Sequence, residues 1–342
     1  MPPRSAGNVR SRRVVSVLMT DTPHWAFPSP LQPKQSDLAF DLDAACGAMV
    51  RLASKIPDDA YTAQLLGTER SGNGVVIRDD GLVLTIGYLI TEADVIWLTT
   101  HDGRVVPGHA LGVDFATGFG LVLPLQPLAV EPLALGSIAG LDVDDDVYVL
   151  GHGGRAHALK AQVFARREFA GYWEYLLDEA IFTAPPHPEW SGAALVDDAG
   201  QLVGVGSLFV QEALGEDLVK GNMFVPIDLL PPILDDMVRM GRASRPPRPW
   251  LGLYANDDDA RVVVGGLAKG GPADRAGVRK GDAVMTVADQ RVGSIAEMLR
   301  SVWQLGPAGT EIPLTVARGD KVVPIRVRSG DRGDYMKKPS LQ

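Results

Sequence analysis

The chain has 342 residues, too many for one small core, so length alone implies two or three domains. Hydrophobic residues make up 46% and charged residues 22%, the balance of an ordinary globular protein rather than a disordered or fibrous one. The net charge of -9 argues against an electrostatic hold on nucleic acid or an anionic membrane, since both need clustered Lys and Arg.

Residues 1–36 mix Pro, Ser and Arg with isolated aromatics such as Trp25 and Phe27, and read as an extended, partly disordered arm. Within it, Arg4, Arg10, Arg12 and Arg13 precede the apolar run Val14 to Met19, which is shorter than the roughly 7 to 15 residues of a secretory signal core. No run reaches the roughly 20 apolar residues of a membrane-spanning helix. A cytoplasmic location is the expectation, or a periplasmic one if the natural start lies upstream. The one cysteine, Cys46, excludes an intramolecular disulfide and a cysteine-rich zinc site, and reads as a buried thiol.

From Gly72 onward the chain turns to short apolar runs: Gly74 to Ile77, Leu82 to Leu84, Val95 to Leu98, Val105-Val106 and Leu121 to Leu123. Asp79-Asp80-Gly81 and His101-Asp102-Gly103 stand between runs where tight hairpins need positive φ, so consecutive antiparallel strands are expected. A second series of similar length follows, with Val147 to Leu150, Ala161 to Phe164, Ala193 to Val196 and Leu202 to Val205, and a turn at Asp197 to Gly200. Ile227, Leu230, Ile233, Leu234 and Met237 then fall at helical spacing, closed by Gly241. Together these define a domain over 37–240 made of two β units.

Residues 241–249 form a linker, because Arg245-Pro246-Pro247-Arg248-Pro249 can neither continue a helix nor join a sheet interior. Residues 250–332 alternate strands with one helix, Ile295 to Trp303, and make a small α+β module. Residues 333–342 are left as a tail.

That module resembles a PDZ domain of the bacterial protease type. Pro249-Trp250-Leu251-Gly252-Leu253 matches the carboxylate-binding loop, Gly271 to Val278 the ‘SPA-x-x-AG’ stretch, and Arg279-Lys280-Gly281-Asp282 the ‘GD’ turn. Such a loop offers successive amide hydrogens to a peptide's C-terminal carboxylate while the sheet edge accepts the peptide as a strand. Trp250, Leu251, Gly252 and Leu253 are therefore the expected peptide-binding residues.

The segment from Gly72 to Met240 resembles the double β-barrel protease domain of the HtrA family. Ser71 to Val76 matches its ‘GSG’ opening, Val149 to Gly154 its ‘IGNPFG’ turn, and Trp190-Ser191-Gly192-Ala193-Ala194-Leu195-Val196 its ‘NSGGALV’ nucleophile loop. The implied fold is mainly β, a chymotrypsin/trypsin-like double β-barrel followed by the PDZ domain. Carried over residue by residue, the catalytic triad is broken. Thr85 to Ile90 places Tyr88 where the family's ‘TNxHV’ has its histidine, and Asp114 to Leu121 places Gly118 where ‘DPxxDLAL’ has its aspartate. Ser191 alone keeps its place, and the oxyanion loop carries Glu189 instead of glycine.

A serine hydroxyl is a poor nucleophile without a base, and a tyrosine with a pKa near ~10 is a protonated donor at neutral pH. The expected function is therefore binding: a catalytically inactive HtrA-like scaffold that captures peptide or protein C-termini as an adaptor, regulator or chaperone-like protein. Tyr88, with Phe115, Phe119 and Trp190, is expected to fill the emptied cleft, and the Glu189 carboxylate to sit near where oxyanion charge would develop. The rival is an active endopeptidase using Ser191 with a base such as His187, although a loop histidine facing water is the plainer expectation for that residue. His152 and His157 flank a turn from which they could approach the cleft, and they are read as solvated, as are His24, His101 and His109. No HExxH-like spacing is present and the acidic runs read as solvated turns, so no metal or cofactor is expected. The resemblance also implies a homotrimer formed through the arm, with Trp25 and Phe27 packing in it.

Overall fold

Asp41 opens the first helix by accepting from the Asp43 and Ala44 amides, and α1 (Leu42–Gly47) buries Leu42, Ala45 and Cys46. Burial pushes the Cys46 thiol up to about 12, which leaves it an inert apolar side chain. The computed structural model describes residues 25–214 and 217–338. The expectations for residues 1–24, His24 and the Val14 to Met19 run among them, and for 339–342 lie outside the described residues.

Six antiparallel strands close the first barrel: β1 (Met49–Lys55), β2 (Glu69–Val76), β3 (Val83–Ile86), β4 (Val95–Thr99), β5 (Val105–Val113) and β6 (Phe119–Pro124). A short α2 (Ala63–Leu66) lies between β1 and β2, and the order around the barrel is β1-β2-β3-β6-β5-β4. Strands thus begin at Met49, well before Gly72. Arg51, Ser54, Glu69 and Arg70 interrupt the apolar pattern there. Arg70 is buried all the same, because its guanidinium donates to the Tyr88 and Thr91 carbonyls and to Thr62 Oγ1.

The second barrel comprises β7 (Asp146–Leu150), β8 (Ala158–Gly171), β9 (Tyr175–Ala184), β10 (Ala194–Val196), β11 (Leu202–Leu214) and β12 (Asp217–Pro226), closed in the order β10-β11-β12-β9-β8-β7. A 3-10 turn, Ile227–Leu229, leads into α3 (Pro231–Met240), which buries Ile233 and Met237 and ends at Gly241 in the left-handed conformation.

The C-terminal unit is a sheet in the order β13-β14-β15-β17-β18, with a short β16 on β15. Its elements are β13 (Leu253–Asp258), β14 (Arg261–Leu267), α4 (Pro272–Arg275), β15 (Ala283–Val287), β16 (Gln290–Arg291), α5 (Ile295–Gln304), β17 (Glu311–Arg318) and β18 (Lys321–Arg328). Ser294 caps α5 by accepting from the Glu297 amide. Leu253, Val264, Val284, Leu299 and Val316 lie in its core, and β13 is an edge strand.

The linker is packed onto both neighbours. Arg245 pairs with Asp114 at 2.6 Å, and the Arg248 guanidinium lies 4.1 Å from the Trp303 ring centre. Where a tail is expected after residue 332, the chain folds back: Tyr335 packs on Trp250, and the Lys337 amide donates to Glu92 Oε1 at 2.9 Å. Among the described residues no helix is long and apolar enough to cross a membrane, which does not bear on β-barrel membrane proteins.

Phe119 is fully buried in the first barrel. Phe119→Ala is expected to cost about 3–5 kcal/mol, read as a lowered denaturation midpoint, because the cavity cannot collapse between closed strands.

Candidate functional site

Ser191 sits in the loop that leads into β10, held against the first barrel by Asn73 of β2. The Asn73 amide donates to the Ser191 carbonyl at 2.7 Å and its Nδ2 to the Glu189 carbonyl at 2.7 Å. Asn73 Oδ1 accepts from the His152 amide at 2.8 Å, and the Asn73 carbonyl accepts from Thr85 Oγ1 at 2.7 Å. Only 2% of Asn73 is exposed, so this buried amide is satisfied on every side while it joins the barrels. In the sequence Asn73 stands only as part of the opening motif, and no local pattern marks this role.

Tyr88, on the 3-10 turn Gly87–Leu89 after β3, meets the serine directly. Its hydroxyl oxygen lies 2.7 Å from Ser191 Oγ and 2.9 Å from the Ser207 carbonyl. A carbonyl only accepts, so the phenol's single proton goes to Ser207, and the serine hydroxyl is left to donate to the phenol oxygen. Burial pushes the Tyr88 hydroxyl up to about 12, so it stays protonated at neutral pH.

Gly118 lies beside this turn, its carbonyl accepting from the Gly87 amide at 2.7 Å. Its φ is +84°, in the left-handed region, and a Cβ there would come within 3.0 Å of the Tyr175 hydroxyl oxygen. Tyr175 donates to the Thr117 carbonyl at 2.6 Å, and burial pushes its hydroxyl well above the usual range. Tyr175 therefore fills the space beside Gly118. It comes from the second barrel, so no local pattern marked it. Asp114, four residues before Gly118, is engaged with Arg245.

The loop expected to hold an oxyanion is folded back on itself. The Glu189 amide donates to His187 Nδ1 at 3.0 Å. The Glu189 carboxylate, expected near the site of oxyanion charge, accepts from Trp25 Nε1 at 3.4 Å and lies 3.7 Å from His157 Nδ1.

His187 does not face water, as the sequence reading expected, but is fully buried. Its amide donates to Asn222 Oδ1 at 2.6 Å, and its Nε2 lies 2.9 Å from the His157 carbonyl. A carbonyl takes only a donor, so Nε2 carries the ring proton and Nδ1 is the acceptor for Glu189. Burial lowers the pKa of His187 to about 4.

His157 is likewise buried rather than solvated, its ring 4.1 Å from that of Trp25. Phe27 packs edge-on to His187, and the Phe27 amide donates to the Ala156 carbonyl, so residues 25–27 dock on their own second barrel. His152 lines a cleft of about 220 Å³ with Ser191, Arg51 and Trp190, with its Nε2 3.3 Å from the Thr100 carbonyl. His101 lies in the β4–β5 turn and His109 on β5.

Of the aromatics expected to fill the cleft, Phe119 belongs to the barrel core, and Phe115 lies under the Arg332 guanidinium at 5.0 Å. Trp190 stays beside the serine and packs on Phe209. Among the described residues no group of three or more His, Cys, Asp or Glu side chains is placed to hold a metal ion.

The expected peptide loop, Trp250 to Leu253, is engaged from within the chain. Trp250 exchanges both backbone hydrogen bonds with Gly330, so its amide is turned away from the loop. The Leu251 and Leu253 amides donate to the two carboxylate oxygens of Glu174, at 2.9 and 2.7 Å.

Comparison with known proteins agrees with this architecture. The trypsin-like peptidase domain family matches residues 72–205, and the PDZ domain family matches 249–328. The chain is 26% identical to the serine endoprotease DegS of Escherichia coli over 339 residues, which cover 92% of this chain and 94% of DegS. It is 28% identical to the serine protease PepD of Mycobacterium tuberculosis over 77% of this chain and 62% of PepD. It is 25% identical to a probable periplasmic serine endoprotease, DegP-like, of Chlamydia pneumoniae, over 78% of this chain but only 56% of that protein. Among solved structures, the HtrA-type protease AlgW, as a serine-to-alanine variant with a decapeptide, matches at 21% identity. That match covers 89% of this chain and 96% of the other, with a TM-score of 0.51. A serine endoprotease from Yersinia pestis matches at 20% identity over 86% of this chain and 99% of the other, also with a TM-score of 0.51. The chain thus joins a trypsin-like peptidase domain to a PDZ domain, the arrangement of HtrA-type proteins, in a mainly β fold.

His187 generates a pH prediction. Its pKa falls from an ordinary 6.5 to about 4 on folding, so below pH 6.5 the unfolded chain takes up a proton that the folded chain refuses. Stability from this residue is full above pH 6.5 and is lost as pH falls towards 4, by up to roughly 3 kcal/mol. Urea unfolding of the native chain and His187→Gln across that range is expected to show this loss only in the native chain; parallel curves would refute it.

Proposed function

We propose that this chain is a protease-shaped binding protein, which does not hydrolyse peptides and captures peptide or protein C-termini through its PDZ domain. An adaptor, regulatory or chaperone-like role follows. The observation that carries the reading is the contact between Ser191 and Tyr88. Serine attack needs a neighbour that takes the hydroxyl proton, and the neighbour here is a phenol held protonated by burial. Loss of the base alone in a subtilisin-type enzyme lowers turnover on the order of 10⁶. Two further features support the same reading. Gly118 has no side chain to orient a base, and the Glu189 amide is held by His187 instead of being free for an oxyanion.

The relatives named serine endoproteases favour a second reading, an active endopeptidase using Ser191 with His187 as a non-standard base. Against it stand the hydrogen bonds at both ring nitrogens of His187 and a pKa lowered to about 4. For location, the Chlamydia relative named a periplasmic endoprotease favours the periplasm over the cytoplasm. The homotrimer remains part of the proposal, with sedimentation as its measure. Neither nucleic acid nor a membrane is called for as a partner, and no cofactor.

A fluorophosphonate probe with a casein digest tests the catalytic half. Native chain and Ser191→Ala are expected to give the same background; labelling that disappears in Ser191→Ala would sink the reading. The double variant Tyr88→His/Gly118→Asp is expected to remain at background on casein, because Tyr175 and the Glu189–His187 bond are still in place. Robust cleavage by it would mean that base and orienter were all that was missing.

A further inference from the structure

The hairpin between β8 and β9 projects from the second barrel, and its tip, residues 172–174, reaches the PDZ unit. Glu174 has φ +59° and is only 9% exposed. Its Oε2 accepts from the Leu251 amide and its Oε1 from the Leu253 amide. Two residues earlier, the Tyr172 carbonyl accepts from the Ala255 amide at 2.9 Å. Residues 174 and 172 thus face residues 253 and 255 in descending against ascending order, through one side-chain carboxylate and one main-chain hydrogen bond, the direction in which a peptide end would run along a sheet edge. The edge in question is that of β13, the outermost strand.

Side chains complete the docking. Leu176 is buried in the same apolar cluster as Leu251, Leu253 and Val302 of α5. Arg300 of α5 forms ion pairs with Glu168 and Asp178, one on each arm of the hairpin. Burial pushes the Glu174 carboxyl up to about 7, against the loop amides and then the Arg332 charge, which favour its ionised form. Carboxylate in the amide loop, main chain along the sheet edge and an apolar side chain beside the loop are what a bound peptide end would supply.

We propose that Glu174 and its hairpin are an internal ligand of the PDZ domain, occupying the carboxylate loop so that an incoming C-terminus must displace them. This rests on the reading of Trp250 to Leu253 as a carboxylate-binding loop, and it adds a regulation that neither the loop nor the fold implies. The next residue, Tyr175, is tied to the first barrel through Thr117, so the carboxylate is presented at high local concentration. An external peptide binds only the undocked fraction, and its apparent dissociation constant rises in inverse proportion to that fraction.

The test uses the full chain and a fluorescein-labelled octapeptide ending in leucine, as free acid and as C-terminal amide. By fluorescence anisotropy, Glu174→Ala and the shape-preserving Glu174→Gln are expected to bind the free acid about tenfold or more tightly than the native chain does. Equal affinity in all three chains, with the acid preferred over the amide, would overturn the internal ligand and leave the PDZ reading standing. Acid and amide binding alike, or no binding by any chain, would instead count against the carboxylate loop. Hydrogen exchange at the Leu251 and Leu253 amides decides the internal ligand independently of any peptide. Protection in the native chain and its loss in both Glu174 variants is expected, and unchanged protection would overturn the proposal.

Discussion

Asn73 joins the two barrels at the point where Ser191 sits. Hydrogen bonds from one buried side chain and its backbone reach Ser191, Glu189, His152 and Thr85. A buried amide of this kind is costly to leave unpaired, so each partner's position is fixed by the need to satisfy it. The loop that carries Ser191 is therefore held against the first barrel by one buried polar residue.

What occupies the cleft follows from ordinary chemistry. Tyr88 fills the approach to Ser191 and satisfies the Ser207 carbonyl, and Tyr175 fills the side where Gly118 leaves room. Nearby, His187 is fully enclosed and keeps one proton at Nε2, which makes Nδ1 the receiver of the Glu189 amide. Each of these contacts satisfies a buried polar group.

The same logic governs the junction between the units. Asp114 meets Arg245, Arg248 lies on Trp303, Lys337 caps the Glu92 carboxylate, and Glu174 meets the amides of the PDZ loop. Glu92 and Glu174 are buried carboxylates held by backbone amides, a stronger arrangement than surface ion pairs. The proline-rich linker is thus one side of a packed seam. The β8–β9 hairpin is the second connection, and it reaches the peptide loop without passing through the linker.

The order of strands, the turns at Gly81, Gly103 and Gly200 and the α3 and α5 helices were legible in the sequence. Short apolar runs, turn residues and ordered motifs are local signals. The strand at Met49–Lys55 and the first half of Glu69–Val76 were not legible because Arg51 and Arg70 break the apolar pattern, and the bonds of Arg70 to distant carbonyls cannot be read locally. The water-facing His187 and the Phe115 filler were local expectations that tertiary packing overruled. By itself, the sequence determined which side chains stand at residues 88, 118 and 191 and in the loop from Trp250 to Leu253. Only the tertiary structure decided what each one meets. Tyr175 at Gly118, Glu189 on His187 and Glu174 in the amide loop are pairs formed between distant segments, and hydrogen-bond satisfaction in a buried seam leaves no periodic trace in the chain.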